Sequence, residues 1–70
     1  MEMFLSSFGM VRVNISDGIM MLYFVDSRYI TSLRNVRIII KEYINSFSEH
    51  TIKKVGKIER DESIFFATIH

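Results

Sequence analysis

Asp17-Gly18 sits between two runs rich in strand-forming residues, 10–16 and 19–25. A tight type I′ turn needs positive φ at both central positions, and Asp-Gly accepts that conformation at little steric cost. The dipeptide therefore predicts a hairpin and, with it, a register. Ser16 faces Ile19, Ile15 faces Met20, Val13 faces Leu22 and Val11 faces Phe24. The last three pairs are apolar on both strands. A slip of one residue would turn these side chains to the opposite face, so the hydrophobic pattern and the turn chemistry select the same pairing. The other face of this hairpin carries Met10, Arg12, Asn14, Ile19, Met21 and Tyr23, and is more apolar than a solvent face usually is.

After the hairpin the period changes. Tyr29, Leu33, Val36, Ile40, Tyr43 and Phe47 recur at steps of four and three, which lays one apolar stripe along a helix. Ile30, Ile39 and Ile44 widen it into a core-facing side. The spacing predicts one helix over residues 28 to about 47, with Asp26 or Ser27 as its N-cap. Arg34, Arg37 and Lys41 share the opposite side, with Ile38 among them. Ile38-Ile39-Ile40 is β-branched and suits a strand locally. The long helical period outweighs that preference.

The remaining residues, 51–70, read as a second hairpin about the polar turn Arg60-Asp61-Glu62-Ser63. With Asp61 and Glu62 central, Ile58 faces Phe65, Gly56 faces Ala67 and Lys54 faces Ile69. Gly56 then leaves room for the helix. Ile64 and Phe66 fall on the opposite face.

Two hairpins and one amphipathic helix predict an α+β fold of order β-β-α-β-β. It is a single domain over residues 1–70, with one four-stranded antiparallel sheet and the helix on one face. Residues 1–9 are expected to form a mobile or lid-like segment, using Phe4, Leu5 and Phe8. The expected core is Val11, Val13, Ile15, Met20, Leu22, Phe24, Leu33, Val36, Ile40, Tyr43, Phe47, Ile58, Phe65 and Ala67. A start at Met3 or Met10 would leave the first hairpin intact.

Composition sharpens this picture. The chain has 70 residues, of which 49% are hydrophobic. A folded monomer of this size exposes roughly 4,600 Å² against about 12,000 Å² unfolded, so only about 60% of its surface can be buried. One helix covers one face of a sheet. The surplus apolar residues therefore belong on the other face, where Met10, Met21, Tyr23, Ile64 and Phe66 are expected to mediate self-association. A homodimer or higher homo-oligomer is the simplest outcome.

Chemistry is not indicated. There is no cysteine, so disulfides and thiolate metal sites are excluded. His50 follows the helix and His70 is the last residue, and no triad can be assembled around either. Glu49, His50 and His70 lack the spacing of a zinc or calcium loop. Asp17, Asp61 and Glu62 are turn residues, and Asp26 is a cap candidate. No glycine-rich phosphate loop occurs. No catalytic, cofactor or metal site is expected, and the chain reads as a non-enzyme. The N-terminal residues carry an acid where a secretory signal carries bases. The longest apolar run, 19–25, is too short to span a bilayer as a helix. A soluble, cytoplasmic protein without membrane contact is expected.

Net charge is +1, but unevenly spread. Residues 28–60 hold eight bases and three acids, giving +5, while the rest holds one base and five acids, giving −4. Arg34, Arg37, Ile38 and Lys41 suit an acidic protein partner, the isoleucine as anchor and the bases for steering. The expected function is a small regulatory or inhibitory protein that acts by protein binding, a profile shared by phage- or virus-encoded proteins directed at a host factor. The alternative is a small nucleic-acid-binding protein using Arg12, Arg34, Arg37, Lys41, Lys53 and Lys57 beside exposed aromatics.

Overall fold

The computed structural model describes residues 2–25, 32–47, 50–58 and 64–70. Along the chain lie β1 (Glu2–Ser6), β2 (Gly9–Ser16), β3 (Ile19–Phe24), α1 (Leu33–Phe47), β4 (Ile52–Lys57) and β5 (Ile64–Ile69). All five strands form one antiparallel sheet of order β1-β2-β3-β5-β4. Among the described residues the fold is α+β with a single helix, as expected, but the sheet has five strands rather than four.

The β2–β3 hairpin has the predicted register at every position: Ser16 opposite Ile19, Ile15 opposite Met20, Val13 opposite Leu22 and Val11 opposite Phe24. Asp17 and Gly18 both adopt positive φ, 53° and 75°, as a type I′ turn demands.

The additional strand is β1. Ser7 and Phe8 link it to β2, and Gly9, with φ of 111°, takes the left-handed conformation that this turn requires. Ser6 locks the corner. Its hydroxyl donates to the Gly9 carbonyl at 2.8 Å and accepts from the Phe8 N–H at 3.0 Å. Residues 2–6 thus extend the sheet instead of folding over it. Phe4 is buried on the helix side, Phe8 packs against the same core, and only Leu5 and Met3 turn to the other face.

The second hairpin forms with its register one residue away from the expected one. Val55 faces Ala67, Gly56 faces Phe66, and Lys57 faces Phe65. The hairpin closes where the Ile58 N–H donates to the Ile64 carbonyl at 3.0 Å. The expected turn residues, 60–63, lie outside the described residues. The physical reason for the shift is burial. The observed pairing puts Val55 into the core and turns Lys54 out of it, whereas the expected one buried Lys54 and Gly56. An irregularity between Ile52 and Lys54 then returns Ile52 to the same side as Ile69. Gly56 has a different purpose from the one inferred. A Cβ there would meet the Phe66 ring at 2.5 Å, so the ring lies over the glycine backbone on the face away from the helix.

α1 begins at Leu33. Ser32 caps it, its carbonyl accepting from the Val36 N–H at 3.3 Å and its hydroxyl from the Asn35 N–H at 3.4 Å. The cap candidates Asp26 and Ser27, and the stripe residues Tyr29 and Ile30, lie outside the described residues. Val36, Ile39, Ile40 and Tyr43 form the buried side of the helix. They pack on Phe4, Val11, Val13, Met20, Leu22, Phe24, Val55, Phe65, Ala67 and Ile69. Four expected core residues lie outside this cluster. Leu33 and Phe47 end the helix and are exposed, Ile15 lies near the hairpin tip, and Ile58 is only half-buried at the end of β4. Phe4, Ile39, Val55 and Ile69 complete the core in their place.

Candidate interaction surfaces

Strand alternation divides the sheet into two unlike faces. On the helix side the core residues are almost wholly excluded from water. On the other side stand Met3 and Leu5 of β1, Met10, Arg12 and Asn14 of β2, Ile19, Met21 and Tyr23 of β3, and Ile64 and Phe66 of β5. The register makes these neighbours. Leu5 pairs with Met10, Arg12 with Tyr23, Tyr23 with Ile64, and Met21 with Phe66. All five residues expected to mediate self-association, Met10, Met21, Tyr23, Ile64 and Phe66, therefore fall on one face. None of them is buried, and no described element lies over them. Sequence reasoning missed Met3 and Leu5, the latter 70% exposed. The alternation of Met3 and Leu5 with Phe4 and Ser6, followed by a turn ending at Gly9, was the available signal.

The second surface is the outer side of α1. Arg34, Arg37, Ile38 and Lys41 are all exposed there, Ile38 at 40%. Their spacing of three, one and three keeps them on one helical side. Glu42 is the sole acid within α1, and it is drawn sideways to the β1–β2 turn. Its carboxylate accepts from the Ser7 N–H at 3.0 Å and from the Ser7 hydroxyl. The basic row is thus left with no acid of its own helix turned toward it.

The six bases of the nucleic-acid reading are not gathered on one surface. Arg34, Arg37 and Lys41 point away from the sheet, Arg12 lies on the opposite face, and Lys53 and Lys57 belong to the outer strand β4.

A third feature joins the edge of the sheet to the helix. The Tyr43 hydroxyl donates to Glu2 Oε1 at 2.7 Å. The ring of Tyr43 stands edge-on to Phe4, with centroids 5.5 Å apart, and Phe47 packs on both. Burial, then the hydrogen bond to Glu2 and its negative charge, push the Tyr43 phenol from 10.0 up to about 12. A raised phenol stabilises the fold fully below pH 10, and that contribution fades as pH climbs through about 12. An alkaline absorbance titration of wild type minus that of Tyr43→Phe should therefore have its midpoint near 12. Glu2→Gln should lower it; a Tyr43 midpoint at the ordinary value of 10.0 would refute the contact. Neither Glu2 nor Glu42 was singled out from sequence, because their partners become visible only once β1 is known to be a strand.

Among the described residues, no three His, Cys, Asp or Glu side chains come together as a metal site would require. No helix of the described residues is long and apolar enough to cross a membrane. Comparison with protein-family models, curated proteins and solved structures finds no match to this chain.

Proposed function

We propose that this chain is a small non-enzymatic regulatory or inhibitory protein that works by binding other proteins. The observation that carries this reading is the division of labour between its two surfaces. One face of the sheet is occupied by α1, and the other presents a contiguous set of methionine, aromatic and isoleucine side chains with no described element over it. Exposed apolar patches of this kind are characteristic of association surfaces. Self-association through that face leaves the outer side of α1 available. There Arg34, Arg37 and Lys41 surround Ile38, a combination suited to an acidic protein surface: the charges raise the encounter rate and the exposed isoleucine, covered on binding, holds the complex.

The test is affinity capture with the wild type and with Ile38→Asp, each mixed with lysate and read by mass spectrometry. A specific set of acidic proteins should be retained by the wild type and lost by Ile38→Asp. An identical set on both would sink the helix-face assignment. The competing nucleic-acid reading has one observation in its favour, the direct cross-strand pairing of Arg12 with Tyr23, a base beside an aromatic platform. It requires salt-dependent retardation of mixed oligonucleotides that disappears in Arg12→Glu.

A further inference from the structure

The two edges of the sheet are treated differently by the sequence. β4 carries Lys53, Lys54 and Lys57 and an irregularity between Ile52 and Lys54. Lysines and bulges are the devices that stop an edge from pairing with another chain. β1 reads Glu-Met-Phe-Leu-Ser and has neither.

The hydrogen-bond phase shows which backbone groups β1 presents. The Val25 N–H donates to the Met10 carbonyl at 3.4 Å. Met10, Arg12 and Asn14 therefore point their backbone groups toward β3, and Gly9, Val11 and Val13 point theirs toward β1. Their partners Ser6, Phe4 and Glu2 bond inward. Met3 and Leu5 are left directing N–H and C=O outward from the edge. The next residue in that outward series is Ser7, and its N–H is already taken by Glu42. Among the described residues the open ladder is thus two residues long and symmetric about Phe4.

We infer that β1 pairs antiparallel with β1 of a second copy, with Phe4 on the two-fold axis, to make a continuous ten-stranded sheet. In this register Met3 bonds Leu5 of the second copy and Leu5 bonds its Met3, so every outward group between Met3 and Leu5 is satisfied. The side chains match as well. Met3 and Leu5 meet on the apolar face and unite the two faces into one. The two Phe4 rings meet on the helix side, next to Phe47, which packs on Phe4 at 5.6 Å yet is 60% exposed. Charge favours the same register. It sets the two Glu2 side chains about 14 Å apart along the strands, four residue steps, which exceeds the screening length at physiological salt. A foreign strand would gain the same short ladder without these matches.

This interface is independent of association through the sheet face, and the two can be separated. Met21→Lys places a charge at the centre of the face and leaves β1 untouched. In sedimentation equilibrium this variant should run at twice the chain mass of 8.3 kDa. Adding Leu5→Pro removes an outward N–H that β2 does not use, and should halve that mass. Amide exchange in Met21→Lys gives a check that needs no proline: the Met3 and Leu5 amides should become slower to exchange as protein concentration rises. A Met21→Lys protein of 8.3 kDa at all concentrations, or Met3 and Leu5 amides that exchange freely within a dimer, would overturn the edge pairing. Failure of the face reading looks different, as a mass that Met21→Lys leaves unchanged from wild type.

Discussion

A chain that begins at Met10 is expected to lose cooperative folding, although it keeps every β2–β3 pair from Val11–Phe24 to Ser16–Ile19. The truncation removes β1, and with it Phe4, which is buried between Tyr43 and Phe47 in the core. Removing a buried phenylalanine side chain costs about 3–5 kcal/mol. The Glu2 carboxylate goes too, leaving the Tyr43 hydroxyl without its partner, and Glu42 loses Ser7. The backbone of Val11 and Val13 would then face water on a new edge. A 70-residue domain has roughly 4–10 kcal/mol of stability in total, so these losses consume most of it. Circular dichroism during urea unfolding is the check. The expected curve is shallow with no native baseline. A sigmoidal transition within about 1 kcal/mol of the full chain would mean that β1 is an accessory, because losses of this kind should not be that small.

The second large effect separates two adjacent residues on β3. Leu22 is fully buried under α1 and Met21 sits on the opposite face. Leu22→Ala leaves a cavity that the close-packed core fills only in part, and should cost about 3 kcal/mol in unfolding free energy. Met21→Lys exposes a charge on a surface already in contact with water in the monomer. It should change the stability of the isolated chain by no more than about 0.5 kcal/mol, while abolishing association through that face, where the lysine would be buried without a partner. The opposite signature, a stable Leu22→Ala and a collapsed Met21→Lys, would reverse the assignment of the two faces.

The parts of this fold that were legible in the sequence are those where two local signals coincide. Asp17-Gly18 and the apolar alternation around it fix the same register, and the structure has it residue for residue. The helical period placed Val36, Ile40 and Tyr43 correctly inside, and Arg34, Arg37, Ile38 and Lys41 outside. The errors arose where one signal stood alone. Asp61-Glu62 suggested a two-residue turn, but burial of Val55 and expulsion of Lys54 chose the neighbouring register, and a one-residue slip exchanges the faces of a strand. β1 was missed because Ser7-Phe8 is not a common turn dipeptide. Its positive φ falls on Gly9, one residue after the turn, where no Asp-Gly or Asn-Gly pair marks it. The apolar face was legible in outline because alternation is local. Its extension through Met3 and Leu5 was not, since it depends on β1. The contacts of Glu2 and Glu42 span about forty positions in sequence, and no local pattern reports them.

The central claim is that the sheet face opposite α1 is an association surface. Sedimentation equilibrium of the full chain at micromolar concentration, beside Met21→Lys under the same conditions, tests it most directly. The wild type should give a whole-number multiple of 8.3 kDa, and Met21→Lys a smaller one. A wild type of 8.3 kDa throughout, or a mass that Met21→Lys leaves unchanged, would contradict it.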